Sequence, residues 1–349
     1  MPPDRLAATE SWFVANGLPW FVPERREHVR RTLRSRSAYA GLLAIVLASL
    51  AVGVGLAWVT GDVAVAPATL VNLTAVALLL YVVVELGGWP ILRWAVRRTL
   101  RSLPLLLPLV TRALPLLLLF VTFLFINAEV WQLAATLDGG VLWVVVLLFV
   151  AFAGTFLVVR IPEELDAFDR RVDAETLVAA ARRTPLADDA RALTERGEVA
   201  PIERTRLRGA ERANLVLVLV IAQGVQVLLL AISVFVFFML FGGLVMRSEV
   251  QASWTGEATS ALPGLTSLSV ELFQVSVFLA AFSALYFAVY AVTDETYRDQ
   301  FFTEVKHQLE RAVAVRSVYV TLRSDAFSPE QDDAPNRGHE RDGGPDSGA

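Results

Sequence analysis

Few residues in this chain have chemistry that could act on a solute, and they stand out because of where they fall. Glu85 and Arg112 lie within or at the ends of long apolar runs. An ionisable group in such a place is costly and is a functional candidate by default. The runs that carry them are consecutive and point in opposite directions across a bilayer, with both residues toward the inner face. They could meet as an intramembrane charge pair, a proton or cation site beside a guanidinium. The competing reading is a structural ion pair, or two side chains that reach the inner interface along their aliphatic stems.

A second group faces outward. Asn127 and Glu129 follow the third apolar run, and Glu271 and Gln274 begin the sixth. If those helices adjoin, two carboxylates and two amides form an outer polar cluster of oxygen donors that suits a hard cation. Ordinary solvated helix ends are the plainer reading. Gln223 and Gln226 lie near the middle of the fifth run. Spaced three apart they share one helix face, where amides hydrogen-bond to a neighbouring helix or line a polar path.

Several classes of function lose support. The chain has no cysteine and only three histidines, His28, His307 and His339, all outside the apolar runs. Thiolate metal sites and an intramembrane haem or histidine cluster are thereby set aside. No run contains Asp or His, and no Gly-rich phosphate loop or HExxH pattern occurs. The expectation is a protein that is not an enzyme, without cofactor, resident metal or nucleic-acid partner.

The elements that must position these residues are legible from composition. Hydrophobic residues make up 55% of the 349-residue chain. They gather into six runs at about 39–60, 66–88, 103–126, 141–159, 214–241 and 269–292. Each approaches the ~20 residues that cross ~30 Å of hydrocarbon. The runs are continuous rather than alternating, and backbone inside a bilayer must satisfy itself, so they are helices. Basic residues decide the orientation. Of the 31 Lys and Arg, 27 fall in 1–38, 91–102, 160–212 and 294–323, while the opposite loops hold one, Arg247. Both termini are therefore expected inside. Arg outnumbers Lys 30 to one, Lys306 alone. With the Ala and Val excess, that points to a bacterial chain in the plasma (inner) membrane.

The expected fold class is all-α: a six-span transmembrane helix bundle with cytoplasmic helical segments and a disordered C-terminal tail. Residues 1–38 place Trp12, Phe13, Trp20 and Phe21 ahead of an arginine cluster, as a cytoplasmic or interfacial segment that lies in the headgroups or packs on a cytoplasmic core. Spans 1–4 occupy 39–159 and spans 5–6 occupy 213–293. The third has three prolines, Pro104, Pro108 and Pro115, which predict bends, and residues 91–101 precede it as a separate basic surface turn. Residues 160–212 read as a charged helical hairpin whose first helix starts at Pro162. Within 294–323, Phe302, Val305, Leu309, Ala312 and Tyr319 recur at helical spacing, an amphipathic stripe that packs on 160–212 or on a second copy. Residues 324–349 have a disordered composition.

Trp12-Phe13-Val14, Gly17-Leu18-Pro19 and Phe21, together with Thr293-Asp294, Tyr297, Phe301-Phe302 and Ala314-Val315-Arg316, resemble the two ends of a group of uncharacterised actinobacterial multi-pass integral membrane proteins. The chain departs from that pattern after Pro19, and the resemblance brings no activity with it. Two functions compete. One is a structural or assembly membrane protein, whose cytoplasmic helices engage a partner protein or a second copy. The other is a small-ion channel or transporter that uses Glu85, Arg112 and the outer polar cluster.

Overall fold

The computed structural model describes residues 3–138, 140–169, 179–182, 184–196, 207, 209–293 and 310–323, with backbone alone at 3, 102–116, 160–169, 265–266 and 291–293. The chain is an all-α bundle. Two short helices, α1 (Pro3–Ala15) and α2 (Pro23–Arg34), flank a 3-10 turn at Pro19–Phe21. Then come α3 (Arg36–Thr60), α4 (Val65–Val84), α5 (Gly88–Phe125), α6 (Ala128–Ala135), α7 (Val141–Asp169) and α8 (Ala187–Glu195). The long α9 (Ala210–Val245) and short α10 (Ser248–Thr255) follow. A small antiparallel hairpin, β1 (Ala261–Leu262) and β2 (Leu265–Ser269), leads into α11 (Val270–Thr293). Residues 310–323 form a last helix, α12.

Among the described residues, five helices are long and apolar enough to cross a membrane: Arg36–Thr60, Val65–Val84, Val141–Val159, Ala210–Val245 and Val270–Tyr290. A sixth is added if Leu117–Phe125 and Ala128–Ala135 are taken as one span, bent by 73°. Their ends follow ordinary capping. The Ser35 hydroxyl accepts the Ala38 N–H at 3.1 Å to open α3, and Gly61, at φ 72°, closes it in the left-handed conformation. Gly53 lets α3 and α4 approach closely: a Cβ there would stand 2.7 Å from the Ala66 carbonyl oxygen.

Three expectations change at this level. The basic segment and the third apolar run are one 38-residue helix, α5, about 57 Å long. No strong helix breaker separates residues 91 and 103, and the backbone stays helical past Pro104, Pro108 and Pro115. The real break comes later, where Asn127 turns extended and its side chain accepts the Glu129 N–H at 2.8 Å, starting α6. Pro162 does not start a helix; α7 continues through it to Asp169. Residues 170–178, 197–206, 294–309 and 324–349 lie outside the described residues, and with them part of the expected hairpin's first arm, its end after Arg196, the front of the amphipathic stripe and the tail.

Two main cores divide the molecule lengthwise. In the first, Phe13, Leu18 and Phe21 pack with Ile91 of α5, Leu186 and Leu193 of the α8 region, Leu215 and Leu219 of α9, and Ala312, Val315 and Tyr319 of α12. In the second, Val121 and Phe125 of α5 and Trp131 of α6 pack with Val234 and Phe238 of α9 and Leu272 and Leu279 of α11. Helix α9 joins them. Its buried stripe runs Glu211, Asn214, Leu215, Val218, Leu219, Gln223, Val227, Leu230, Val234, Phe238 and Gly242. That is the period of a helix buried along one side. Of the N-terminal aromatics, Phe13 and Phe21 are buried in this first core, and Trp12 packs half-buried against it.

Candidate functional site

Glu85 lies just past α4, exposed, with its N–H donated to the Tyr81 carbonyl at 2.9 Å. The Arg112 side chain lies outside the described residues, and the expected Glu85–Arg112 pair with it. In the outer group, Asn127 caps α6 and Glu129 is exposed. Both carboxylate oxygens of Glu271 accept the Ser260 N–H, at 3.0 and 3.2 Å. Gln274 is buried and donates to Asp138 Oδ1 at 3.0 Å. Asn127, Glu271 and Gln274 thus each serve a local contact, and no group of three or more His, Asp or Glu side chains that could hold a metal ion occurs among the described residues.

Sequence reasoning missed two outer partners. Asp138 receives the Gln274 amide from the loop between α6 and α7. Gln251 of α10 accepts the Ser269 hydroxyl at 2.5 Å and donates to the Met246 carbonyl at 3.0 Å, while the Ser269 oxygen accepts the Leu272 N–H. These bonds tie α10 and the hairpin onto the end of α11. Trp131 is fully buried below them and donates its indole N–H to the Phe125 carbonyl at 2.6 Å, which fixes the bend between α5 and α6.

The polar groups deeper in the bundle are of another kind. Gln223 is 2% exposed, and neither its amide oxygen nor its nitrogen has a hydrogen-bond partner. Gln226 Oε1 and the hydroxyl of the fully buried Ser276 are in the same condition. Their depth follows from the helix pairing. Phe235 of α9 meets Phe273 of α11 with ring centroids 5.7 Å apart. Counting equal steps inward from that pair on the antiparallel helices brings Gln226 opposite residue 282, at the midpoint of Val270–Thr293. Gln223 lies ~4.5 Å further in, at ~1.5 Å per residue. An unsatisfied amide at that depth costs ~1–3 kcal/mol per group. Ser276 shares the α11 face of Leu272, Leu279 and Ser283, the face turned into the second core.

At the other end, a buried charge network holds the first core. The Glu211 carboxylate is 7% exposed and bridges two arginines, with Arg26 Nη1 at 2.6 Å from Oε1 and Arg316 Nε at 2.7 Å from Oε2. It occupies the first turn of α9, where the helix dipole favours an anion. One turn on, the fully buried Asn214 accepts the Trp20 N–H at 2.9 Å and donates to the Gly17 carbonyl at 3.2 Å. Trp20 in turn gives its indole N–H to Leu86 O at 3.1 Å. Tyr319 donates to Glu10 Oε1 at 2.9 Å and accepts from Arg323 at 2.8 Å. Its phenol is pushed up to about 12, by burial first, then by the hydrogen bond to Glu10 and that residue's charge; Arg323 opposes the shift.

Comparison with protein-family models, with curated proteins and with solved structures gives no match.

Proposed function

We propose that this chain is a six-span protein of the bacterial inner membrane, with both termini inside, that passes a small ion along Gln223, Gln226 and Ser276. The observation that carries the reading is Gln223, a fully buried amide at mid-bundle depth whose oxygen and nitrogen both lack a partner. A helix packed only for stability would place an apolar side chain at that point of the stripe. A polar group kept there without a protein partner is explained by a passing ligand or water that completes its bonds. The Gln274–Asp138 and Gln251–Ser269 contacts would then form the outer rim of the path.

The assembly reading has less support. It rested on the charged 160–212 segment and the 294–323 helix. Ala312, Val315 and Tyr319 of α12 are spent within the chain, against Leu186, Leu193 and Leu215. Glu85, which the transport reading first relied on, is exposed and plays no part in the proposed path.

The chain is naturally free of cysteine, which makes accessibility a direct test. Gln223→Cys, Gln226→Cys and Ser276→Cys, made singly, are expected to react with a water-soluble, membrane-impermeant thiol reagent. Leu228→Cys, on the lipid-facing side, is expected to resist it; Leu228 is 56% exposed. Folded protein in which all three path positions resist would contradict the proposal.

A further inference from the structure

The buried stripe of α9 runs on past Gln223 toward the start of the helix, and different parts of the chain cover it there. Leu219, Val218 and Leu215 follow within ~12 Å, at ~1.5 Å per residue, and each is 2% exposed. On the outer half of α9 the cover comes from α5, α6 and α11. On the inner half it includes Phe13, Leu18 and Phe21 of the N-terminal segment, all buried. An ion at Gln223 therefore meets a closed wall in the inward direction.

Next to that wall the packing leaves room. Leu215, Val218 and Leu219 line one side of a cavity of about 50 Å³, and Trp12, Asn16 and Leu18 of the N-terminal segment line another. By the same measure one water needs only ~10–15 Å³, so several fit. The cavity begins one turn of α9 inward of Gln223, and the N-terminal segment is part of its wall.

The bonds that hold the segment against α9 are polar. Asn214 takes the Trp20 N–H at 2.9 Å and gives its own amide hydrogen to the Gly17 carbonyl at 3.2 Å. Three residues earlier, Glu211 holds Arg26 at 2.6 Å. A stripe that serves packing alone is apolar throughout. Here the two polar residues stand where the N-terminal segment is attached. When the segment moves away, water takes up the freed N–H, carbonyl and charges, so the contact opens and re-forms without stranding a polar group. We infer that residues 12–26 are an inner gate on the path, an autoinhibitory contact that closes it; this rests on the transport reading of Gln223 and Gln226. The gate opens when Asn214 releases the turn at Gly17–Trp20 and Glu211 releases Arg26.

The test is ion flux into proteoliposomes of the full-length protein, with Asn214→Ala and Arg26→Gln made singly and each combined with Gln223→Leu. The wild type is expected to conduct slowly. Each single variant should conduct about 5- to 100-fold faster, the shift in a closed–open balance on losing one buried polar contact. Gln223→Leu should cancel the increase, because the released ion still passes residue 223. Arg26 is 31% exposed, so Arg26→Gln keeps the test open should Asn214→Ala fail to fold. An increase that survives Gln223→Leu is leakage through damaged protein and overturns the gate. Flux that Gln223→Leu lowers but neither single variant raises also overturns the gate, and it leaves the transport reading standing. No flux in the wild type or in any variant overturns both.

Discussion

Glu211 Oε2 and Arg316 Nε meet at 2.7 Å, joining the first turn of α9 to α12 across 105 residues of sequence. With Arg26 on the other oxygen, at 2.6 Å, the same carboxylate also holds the N-terminal segment. One buried anion thereby ties together three of the parts of the chain that build the first core, the N-terminal segment, α9 and α12.

Removing it should be expensive. Breaking a buried ion pair by losing one partner costs ~3–5 kcal/mol, because the remaining charges stay buried and uncompensated. Glu211→Gln is expected at the lower end of that range, since Arg26 is 31% exposed. A thermal melt of the purified protein checks this. A loss no larger than that of Arg31→Gln, whose partner Glu27 is an exposed neighbour, would show that the network contributes little.

The turn at Gly17 depends on two further contacts. Gly17 holds φ at 76°, and a Cβ there would stand 3.3 Å from the Trp94 ring. A left-handed conformation at a residue with a Cβ costs ~1–2 kcal/mol. Gly17→Ala is expected to lose that much, and Asn214→Leu a further ~1–3 kcal/mol through the unpaired Trp20 N–H and Gly17 carbonyl. Limited proteolysis should show residues 1–22 released earlier in both variants.

Tyr319 makes the first core sensitive to alkali. Its folded-state phenol titrates at about 12, against 10.0 for the free group. A pKa raised by folding means the unfolded chain ionises first. The stabilisation is therefore complete below pH 10 and is lost as pH rises through about 12. Tyr319→Phe should flatten the stability profile in that interval and remove the tyrosinate absorbance that appears at about pH 12. An unchanged profile would separate Tyr319 from the effect.

Much of this arrangement was legible in the sequence, and what was not has physical reasons. The apolar helices α3, α4, α7, α9 and α11 follow from continuous hydrophobic runs, and Ala312 and Tyr319 of α12 from helical spacing. The end of the third run before Asn127 was legible, but the short helix α6 beyond it was hidden because the bend depends on Trp131 folding back onto Phe125. Glu211 was missed because residues 160–212 mix acids and bases freely, and no local spacing marks the one acid that becomes buried. Its partners come from residues 185 and 105 positions away. Gln223 and Gln226 were visible as polar residues in an apolar run, but their lack of partners shows only once the helices are packed.

The close approach of α3 and α4 gives a further check on the membrane part. A Cβ at residue 53 cannot be accommodated 2.7 Å from a backbone oxygen unless the helices move apart. Gly53→Ala is expected to destabilise by ~1–3 kcal/mol, the usual cost of overpacking. Gly55→Ala has open space around it and should be neutral, and the difference between their melting temperatures reads the effect.

The central claim is that Gln223 and Gln226 lie on a path across the membrane. It is tested most directly by ion flux into proteoliposomes under an imposed potential, with Na⁺, K⁺, H⁺ and Cl⁻ each supplied in turn. Flux of at least one of them is expected in the wild type, reduced about tenfold or more by Gln223→Leu or Gln226→Leu, the loss of one polar contact of ~1.4 kcal/mol. Glu85→Gln and Glu129→Gln should leave it intact, because both side chains are exposed. Absence of flux for all four ions, or flux that both leucine variants leave unchanged in folded protein, would contradict the claim and make the buried amides structural.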